Sequence, residues 1–320
     1  IALAIALIGL TAITLIMFTS SSSNNDAESQ FQTFLTTHKS SYSNSNEYDY
    51  RFQVFKNNLD TISSLNIANP RATFAVNHLS DRTPEELKSI LSFNGNSTQC
   101  ENKNVTSSPR DIDWSGFMGH AKNQEQCGSC WAFSAVGAIE GRYALANNST
   151  NITRFSEQQL VDCDTESDGC NGGWMKTAFE YGITNDLCYE STYNYTGQDG
   201  NCTTCETGVR LDTCYNLPAN STQIVAELWS GPVSIAVDAS AWFFYATGIL
   251  DDCSNELNHG VTLVGYNSTE GSINIRNSWG NTWGEAGHIR VNYFNNTCGW
   301  TEVTNIPSFN GTANSTLAFE

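Results

Sequence analysis

Between Gln124 and Phe133 the chain reads QEQCGSCWAF, which puts Cys130 directly before a stretch with apolar residues at helical spacing. A sulfur at such a helix start faces unpaired backbone N–H groups and the positive end of the helix dipole, and both favour the thiolate. A thiolate beside a histidine attacks amide carbonyls, whereas a thiol titrating near about 8.5 stays protonated at neutral or acid pH. A histidine is therefore expected next to Cys130. Of the five in the chain, His259 is the best placed, because it opens an apolar, strand-like run, NHGVTLVGY. His38 and His78 fall in a segment expected to be removed, and no catalytic pattern surrounds His120 or His288. Asn277, in IRNSWG, follows another short apolar run.

Two other chemistries use the same cysteines. Cys127 and Cys130 form a C-x-x-C pair ahead of a helix, and Cys202 and Cys205 form a second, as in a disulfide oxidoreductase or a zinc site. A redox site calls for none of Gln124, His259 and Asn277, and its tryptophan usually precedes the first cysteine. The two pairs lie 75 residues apart in a chain that looks exported, so disulfides suit them better than zinc.

The elements that must hold these groups are legible from periodicity. Phe133, Val136, Ile139 and Tyr143 predict a helix over 131–146, ended by Asn147 and Asn148, and its many small residues suit deep burial. From Val233 the period becomes two, in Val233, Ile235 and Val237, then Val261 and Leu263, then Ile273 and Ile275, which predicts half-buried strands. A helical half, about 110–215, thus precedes a β half, about 216–307. Upstream, Glu47, Arg51, Phe55, Asn58, Ile62 and Asn66 recur every three or four residues on one helix face, beside an apolar stripe of Tyr48, Phe52, Leu59 and Ile62. Residues 92–109 have the composition of an exposed linker, and precursor cleavage is expected there, between Thr106 and Ile112. Residues 308–320 read as a disordered tail.

A chain of 320 residues, 39% hydrophobic and 15% charged, has room for two or three globular units and is no disulfide mini-scaffold. Its net charge of −18 opposes nucleic acid and anionic lipid. The charge is uneven: seven basic and nine acidic residues up to residue 106, eight and 24 after it. The apolar run at the start, within 1–23, is expected to be an export signal truncated at its beginning, or a signal anchor. Twelve Asn-x-Ser/Thr acceptors and eleven cysteines fit passage through an oxidising, glycosylating lumen.

With Cys130 in C-G-S-C-W, and His259 and Asn277 lying 129 and 147 residues downstream, the chain resembles the papain family of cysteine peptidases in its cathepsin L-like branch. The likeness runs from about Phe31 to Pro307. It implies an α+β, papain-like fold of a helical left domain and a β-barrel-like right domain, preceded by a helical inhibitory propeptide over 24–109. The helical face from Glu47 to Asn66 resembles the propeptide motif of that branch, and Ala75, Asn77, Leu79 and Asp81 approximate its companion motif. By resemblance, Cys130 is the nucleophile and His259 its ion-pair partner. Asn277 orients the imidazole, Trp279 shields that hydrogen bond, and Gln124 with the Cys130 N–H forms the oxyanion hole. Glu125 stands where the family usually has glycine.

The resemblance further implies a substrate cleft of Gly172, Gly173, Trp174, Met175, Ala236, Gly260, Trp279 and Val303, apolar enough to prefer a hydrophobic residue two positions before the cut. No histidine-bearing insertion between Cys163 and Cys170 suggests a carboxydipeptidase, so an endopeptidase is expected. A cathepsin H-like aminopeptidase with a retained propeptide remnant and an inert scaffold are the alternatives. The implied disulfides are Cys127 with Cys170, Cys163 with Cys202, and Cys253 with Cys298. Cys100, Cys188, Cys205 and Cys214 are left over: either Cys100 tethers a propeptide remnant to one of the other three, or a thiol stays free. No cofactor or metal is implied. The expected partners are polypeptide substrates, the chain's own propeptide and cystatin-type inhibitors, for a monomer that is secreted or held in a lysosome or digestive vacuole and activated in mild acid.

Overall fold

The computed structural model describes residues 25–38, 40–95 and 100–309. The expected export segment lies outside them, and no helix among the described residues is long and apolar enough to cross a membrane. The described residues divide into two units, one ending at Ser64 and including 76–83, the other made of 65–75 and the chain from Pro84 on.

In the first unit, helix α1 (25–38) brings Phe31 and Phe34 onto Phe55 of α2 (Ser45–Ala68), with Leu35, Tyr42, Tyr48, Phe52 and Leu59 around them. Asn44 caps α2 by accepting from the Glu47 N–H at 3.0 Å, and the Glu47 carboxylate reaches back to the Ser43 N–H at 3.0 Å. The polar residues on the predicted face serve the 76–83 segment. Asn58 donates to the carbonyls of Ser80 and Arg82, and Arg51 to that of Asp81. Tyr42 Oη donates to the Asp81 carboxylate at 2.8 Å.

The second unit contains, in chain order, β1 (Ala72–Phe74), α3 (Pro84–Ser89), β2 (Glu101–Asn102), β3 (Ile112–Asp113), α4 (Cys130–Ala146), α5 (Glu157–Cys163) and α6 (Met175–Thr184). These are followed by β4 (Leu187–Cys188), β5 (Thr207–Val209), β6 (Thr213–Asn216), α7 (Ser221–Glu227), β7 (Val233–Val237), β8 (Tyr245–Leu250), β9 (His259–Asn267), β10 (Ser272–Arg276), β11 (His288–Asn292) and β12 (Thr304–Ser308). Ten of these strands form one mixed sheet in the order β1-β8-β11-β10-β9-β7-β12-β6-β2, with β3 also on β9. The mix of helices and one large sheet is α+β, as expected.

Helix α4 is buried almost throughout because its small residues admit close neighbours. Gly137 faces Thr262 of β9 so closely that a Cβ there would lie 2.5 Å from the Thr262 hydroxyl. The helix thereby packs flat on the sheet that carries His259.

Three expectations need correction. The supposed linker over 92–109 is engaged at both ends of the gap at 96–99, which lies outside the described residues: Ser92 and Asn94 bond to Gly173, and Cys100 is buried. Residues 308 and 309 are not part of a disordered tail, since Ser308 closes β12 and the Phe309 ring meets Tyr143 at 5.6 Å, and the rest of the expected tail lies outside the described residues. The two halves also interleave, because β3, from the start of the helical half, pairs with β9. The structure joins Cys127–Cys170, Cys163–Cys202, Cys253–Cys298, Cys100–Cys214 and Cys188–Cys205, leaving Cys130 as the free cysteine.

Candidate active site

Sheet register assembles the polar part of the site. Strands β9 and β10 are antiparallel, so His259 at the start of β9 lies near Asn277, the first residue beyond β10. His259 Nε2 lies 2.8 Å from Asn277 Oδ1, which also accepts from the Ser278 N–H at 2.8 Å. An amide oxygen only accepts, so Nε2 carries the proton, and in the neutral ring Nδ1 keeps a lone pair. Nδ1 is buried with no hydrogen bond, so it is available to a neighbour. Trp279 lies against the imidazole, with ring centroids 5.1 Å apart, and is itself stacked on Phe243.

Cys130 is the first residue of α4 and is fully buried. The N-cap residue Ser129 spends its hydroxyl on Tyr195 Oη at 2.7 Å, not on the helix. Burial pushes the Cys130 thiol up from its ordinary value, against the opposing pull of backbone N–H groups from Gly260, Ser92, Trp131 and Cys130 that address the sulfur. The absence of a Cβ on Gly260 allows this approach, since one would lie 3.0 Å from the Met175 sulfur and 3.2 Å from the Trp131 Cα. Burial likewise pushes His259 down to about 4, and its bond to Asn277 only partly restores it. In this closed form burial thus opposes charge on both Cys130 and His259.

Gln124 is fully buried and saturated. Its Nε2 donates to the carbonyls of Ile90 at 3.0 Å and Cys127 at 2.9 Å, while Oε1 accepts from Ser278 Oγ at 2.6 Å. Its carbonyl accepts from Tyr195 Oη at 2.8 Å. Glu125, in place of the family glycine, adopts φ 57°, a left-handed conformation costly for a side chain. The Asn123 side chain pins that turn by accepting from the Glu125 N–H at 3.0 Å.

The bond to Ile90 belongs to a larger arrangement that covers the site from upstream. The Gly173 N–H donates to Ser92 O at 3.3 Å, and the Asn94 N–H to Gly173 O at 3.1 Å, so Phe93 forms a parallel bridge with Gly173. The Phe93 N–H reaches Asn258 O at 3.0 Å. Its ring meets Trp174 edge-on at 5.6 Å and packs with Leu257 and Val303 on the cluster that contains Met175 and Ala236. Register sets Ala236 opposite Gly260. Val303 is half-buried there, while Glu302 beside it is exposed and bonded to Asn296. Gly172, at φ 127°, sits under the Ser92 carbonyl. Sequence reasoning missed Asn258, Leu257, Ser278 and Tyr195. Asn258 and Leu257, just before His259, and Ser278, between Asn277 and Trp279, lie beside residues the sequence marks; Tyr195 does not.

Below Asn277 lies a buried ion cluster. Lys122 Nζ is within 3.1 Å of Glu140, 2.9 Å of Glu157 and 3.2 Å of Glu190, and Arg154 also binds Glu140. Burial pushes Glu157 up to about 7, while Lys122 and Arg154 hold Glu140 down. Among the described residues no cluster of histidine, cysteine or carboxylate side chains is arranged to hold a metal ion.

Comparison with known proteins gives a consistent result. Residues 108–308 match the model of the papain family cysteine protease, and residues 31–87 that of the cathepsin propeptide inhibitor domain. The chain is 39% identical over 294 residues to cathepsin L 1 of Paramecium tetraurelia, covering 84% of this chain and 87% of that one. It is 38% identical over 305 residues to vignain of Phaseolus vulgaris, covering 84% and 82%. Digestive procathepsin L 3 from the larval midgut of Tenebrio molitor superposes with a TM-score of 0.81 at 31% identity, covering 88% of this chain and 99% of that one.

Proposed function

Since the chain belongs to the papain family of cysteine proteases and carries a cathepsin propeptide inhibitor domain, we propose that it is the zymogen of a cysteine endopeptidase whose nucleophile is Cys130 and whose acid–base is His259. The observation that carries this reading is the peptide backbone already in the site. The Gln124 amide grips the Ile90 carbonyl, and the Ser92 N–H addresses the Cys130 sulfur.

Once residues 90–94 leave, water returns and both groups can charge. His259 Nδ1 takes the Sγ proton, and Asn277 holds the resulting imidazolium through Nε2–H. The thiolate attacks the scissile carbonyl carbon. The oxyanion that forms takes hydrogen bonds from Gln124 Nε2 and the Cys130 backbone N–H. As it collapses the C–N bond breaks, the imidazolium protonates the departing amine, and a thioester remains on Cys130. Water, deprotonated by His259, attacks that thioester. The second collapse expels the thiolate and releases the carboxylic acid.

Gly173 offers substrate the backbone N–H and carbonyl that now hold Ser92 and Asn94. Phe93 fills an apolar pocket with Trp174, Leu257, Met175, Ala236 and Val303, which supports a hydrophobic preference two residues before the cut. With Glu302 turned outward, no carboxylate from that position pairs an arginine there. Five disulfides fit a secretory-pathway protein, lysosomal or secreted. The mature enzyme acts as a monomer open to cystatin-type inhibitors.

The test is acid-matured enzyme with amino-blocked peptide amides carrying Phe, Leu or Arg at the second position, alongside titration with an epoxide thiol inhibitor. Expected are labelling of Cys130 alone, loss of hydrolysis on labelling, and faster cleavage after Phe or Leu. Cleavage of unblocked aminoacyl amides only would replace the endopeptidase by an aminopeptidase. Labelling without any hydrolysis would make the chain an inert scaffold.

A further inference from the structure

Residues 100–105 precede the stretch that matches the protease family, which starts at 108, and composition assigns them to a removable linker. They are nevertheless built into the protease domain. Cys100 is 6% exposed and belongs to the same core as Phe179, Leu211 and Cys214, to the last of which it is disulfide-bonded. Strand β2 extends the sheet edge, with Glu101 beside Tyr215 and Asn102 beside Asn216 in parallel. Asn216 Nδ2 donates to Cys100 O at 2.8 Å, and the Lys103 N–H donates to Asn216 O at 2.9 Å. Lys103 Nζ lies 2.9 Å from Glu227, a buried carboxylate that also binds Arg142. The Val105 N–H donates to Gln223 Oε1 at 2.8 Å.

The contrast with residues 90–94 decides the matter. Those five residues hold the cleft through hydrogen bonds and packed side chains, Ile90 and Phe93 among them, with no covalent link to the domain. Residues 100–105 are held by a covalent bond, two strand partners and an ion pair to a buried acid, and their loss would open the core at Cys214 and Leu211. We infer that residues 100–105 are a permanent strand of the mature enzyme: maturation cuts N-terminal to Cys100, or a cut between Thr106 and Ile112 leaves them on the domain through Cys100–Cys214. In an oxidising compartment no step of activation breaks that bond. The glycosylation acceptor Asn104 then travels with the active enzyme.

This inference rests on the zymogen organisation and not on the roles given to Cys130 and His259. Its test is peptide mapping of matured enzyme without reduction, run both on the self-activated protein and on the Cys130→Ser zymogen cut in trans by pepsin. Expected is one Cys100–Cys214 cross-linked peptide per molecule, with Cys214 alkylated only after reduction. Active enzyme lacking residues 100–105, with a Cys214 thiol that alkylates directly, would overturn it. A second measurement uses the double variant Cys100→Ser, Cys214→Ser after maturation. Its melting temperature should fall by about 10 °C while kcat/KM on a blocked peptide amide stays unchanged. An unaltered melting temperature would refute the structural role of the strand.

Discussion

Acid should loosen the first unit of the zymogen through His78. Burial pushes this imidazole from 6.5 down to about 4, and the neighbouring positive charges of His38 and Arg82 add to the effect. Its Nδ1 is buried with no hydrogen bond, and the His38 ring on α1 lies 6.5 Å away. Asp81 acts on His38 and is itself engaged with Tyr42. Above pH 6.5 the histidine is neutral in the folded and unfolded chain and contributes nothing. Below it the unfolded chain binds a proton that the folded one refuses until about pH 4, so stability falls as pH falls through that window. At pH 4.5 the loss amounts to about 2.5 kcal/mol, a large fraction of a domain's stability. The perturbation is His78→Gln, which stays neutral. The assay is thermal melting of the Cys130→Ser zymogen from pH 7 to 4, so that self-cleavage cannot interfere. The variant should lose much less stability than its parent between pH 6.5 and 4.5, and it should mature more slowly at pH 4.5 when the active-site cysteine is restored. Parallel melting curves across that range would refute the reasoning.

Replacing Gln124 with Ala should lower kcat by about 10² to 10³, some 2.7 to 4 kcal/mol, with little change in KM; a loss below tenfold on a blocked peptide amide would remove Gln124 from the oxyanion site. Tyr195→Phe deletes the hydroxyl that ties the Gln124 carbonyl to Ser129. At about 1 kcal/mol for that bond, kcat should drop roughly fivefold at constant KM, whereas a lower melting temperature with unchanged kcat would mean that the tyrosine serves stability alone. Burial raises the Glu157 carboxyl above its unfolded value despite Lys122, so across the window between the two the folded chain binds the extra proton and stability falls as pH rises. Glu157→Gln should flatten the melting-temperature profile above pH 5, and an unchanged slope there would contradict the assignment.

Much of the site was legible before any fold was known, because chemistry restricts which residues can do the work. Cys130 before a helix, His259 opening an apolar run and Asn277 after another are local patterns, and local patterns survive in one dimension. Helix α2 was equally plain, since six residues at helical spacing mark one face whatever that face touches. What surrounds the site was not legible. Ser278 and Tyr195 contact Gln124 from 154 and 71 residues away, and no spacing rule reaches so far. Residues 92–94 and 100–105 have a linker's composition but lie against Gly173 and on a sheet edge, because backbone hydrogen bonds to Gly173 and Asn216 do not depend on side-chain type.

The sequence by itself determined the reactive groups, the helical and strand-forming segments, the exported, disulfide-bearing character and the resemblance to a protease precursor, all of which depend on residue type and short-range periodicity. Only the tertiary structure decided the burial that disfavours charge on Cys130 and His259, since the groups that cover them come from distant parts of the chain. It also decided the partners of Cys100, Cys188, Cys205 and Cys214, because disulfide pairing follows distance in space and several pairings are compatible with one chain.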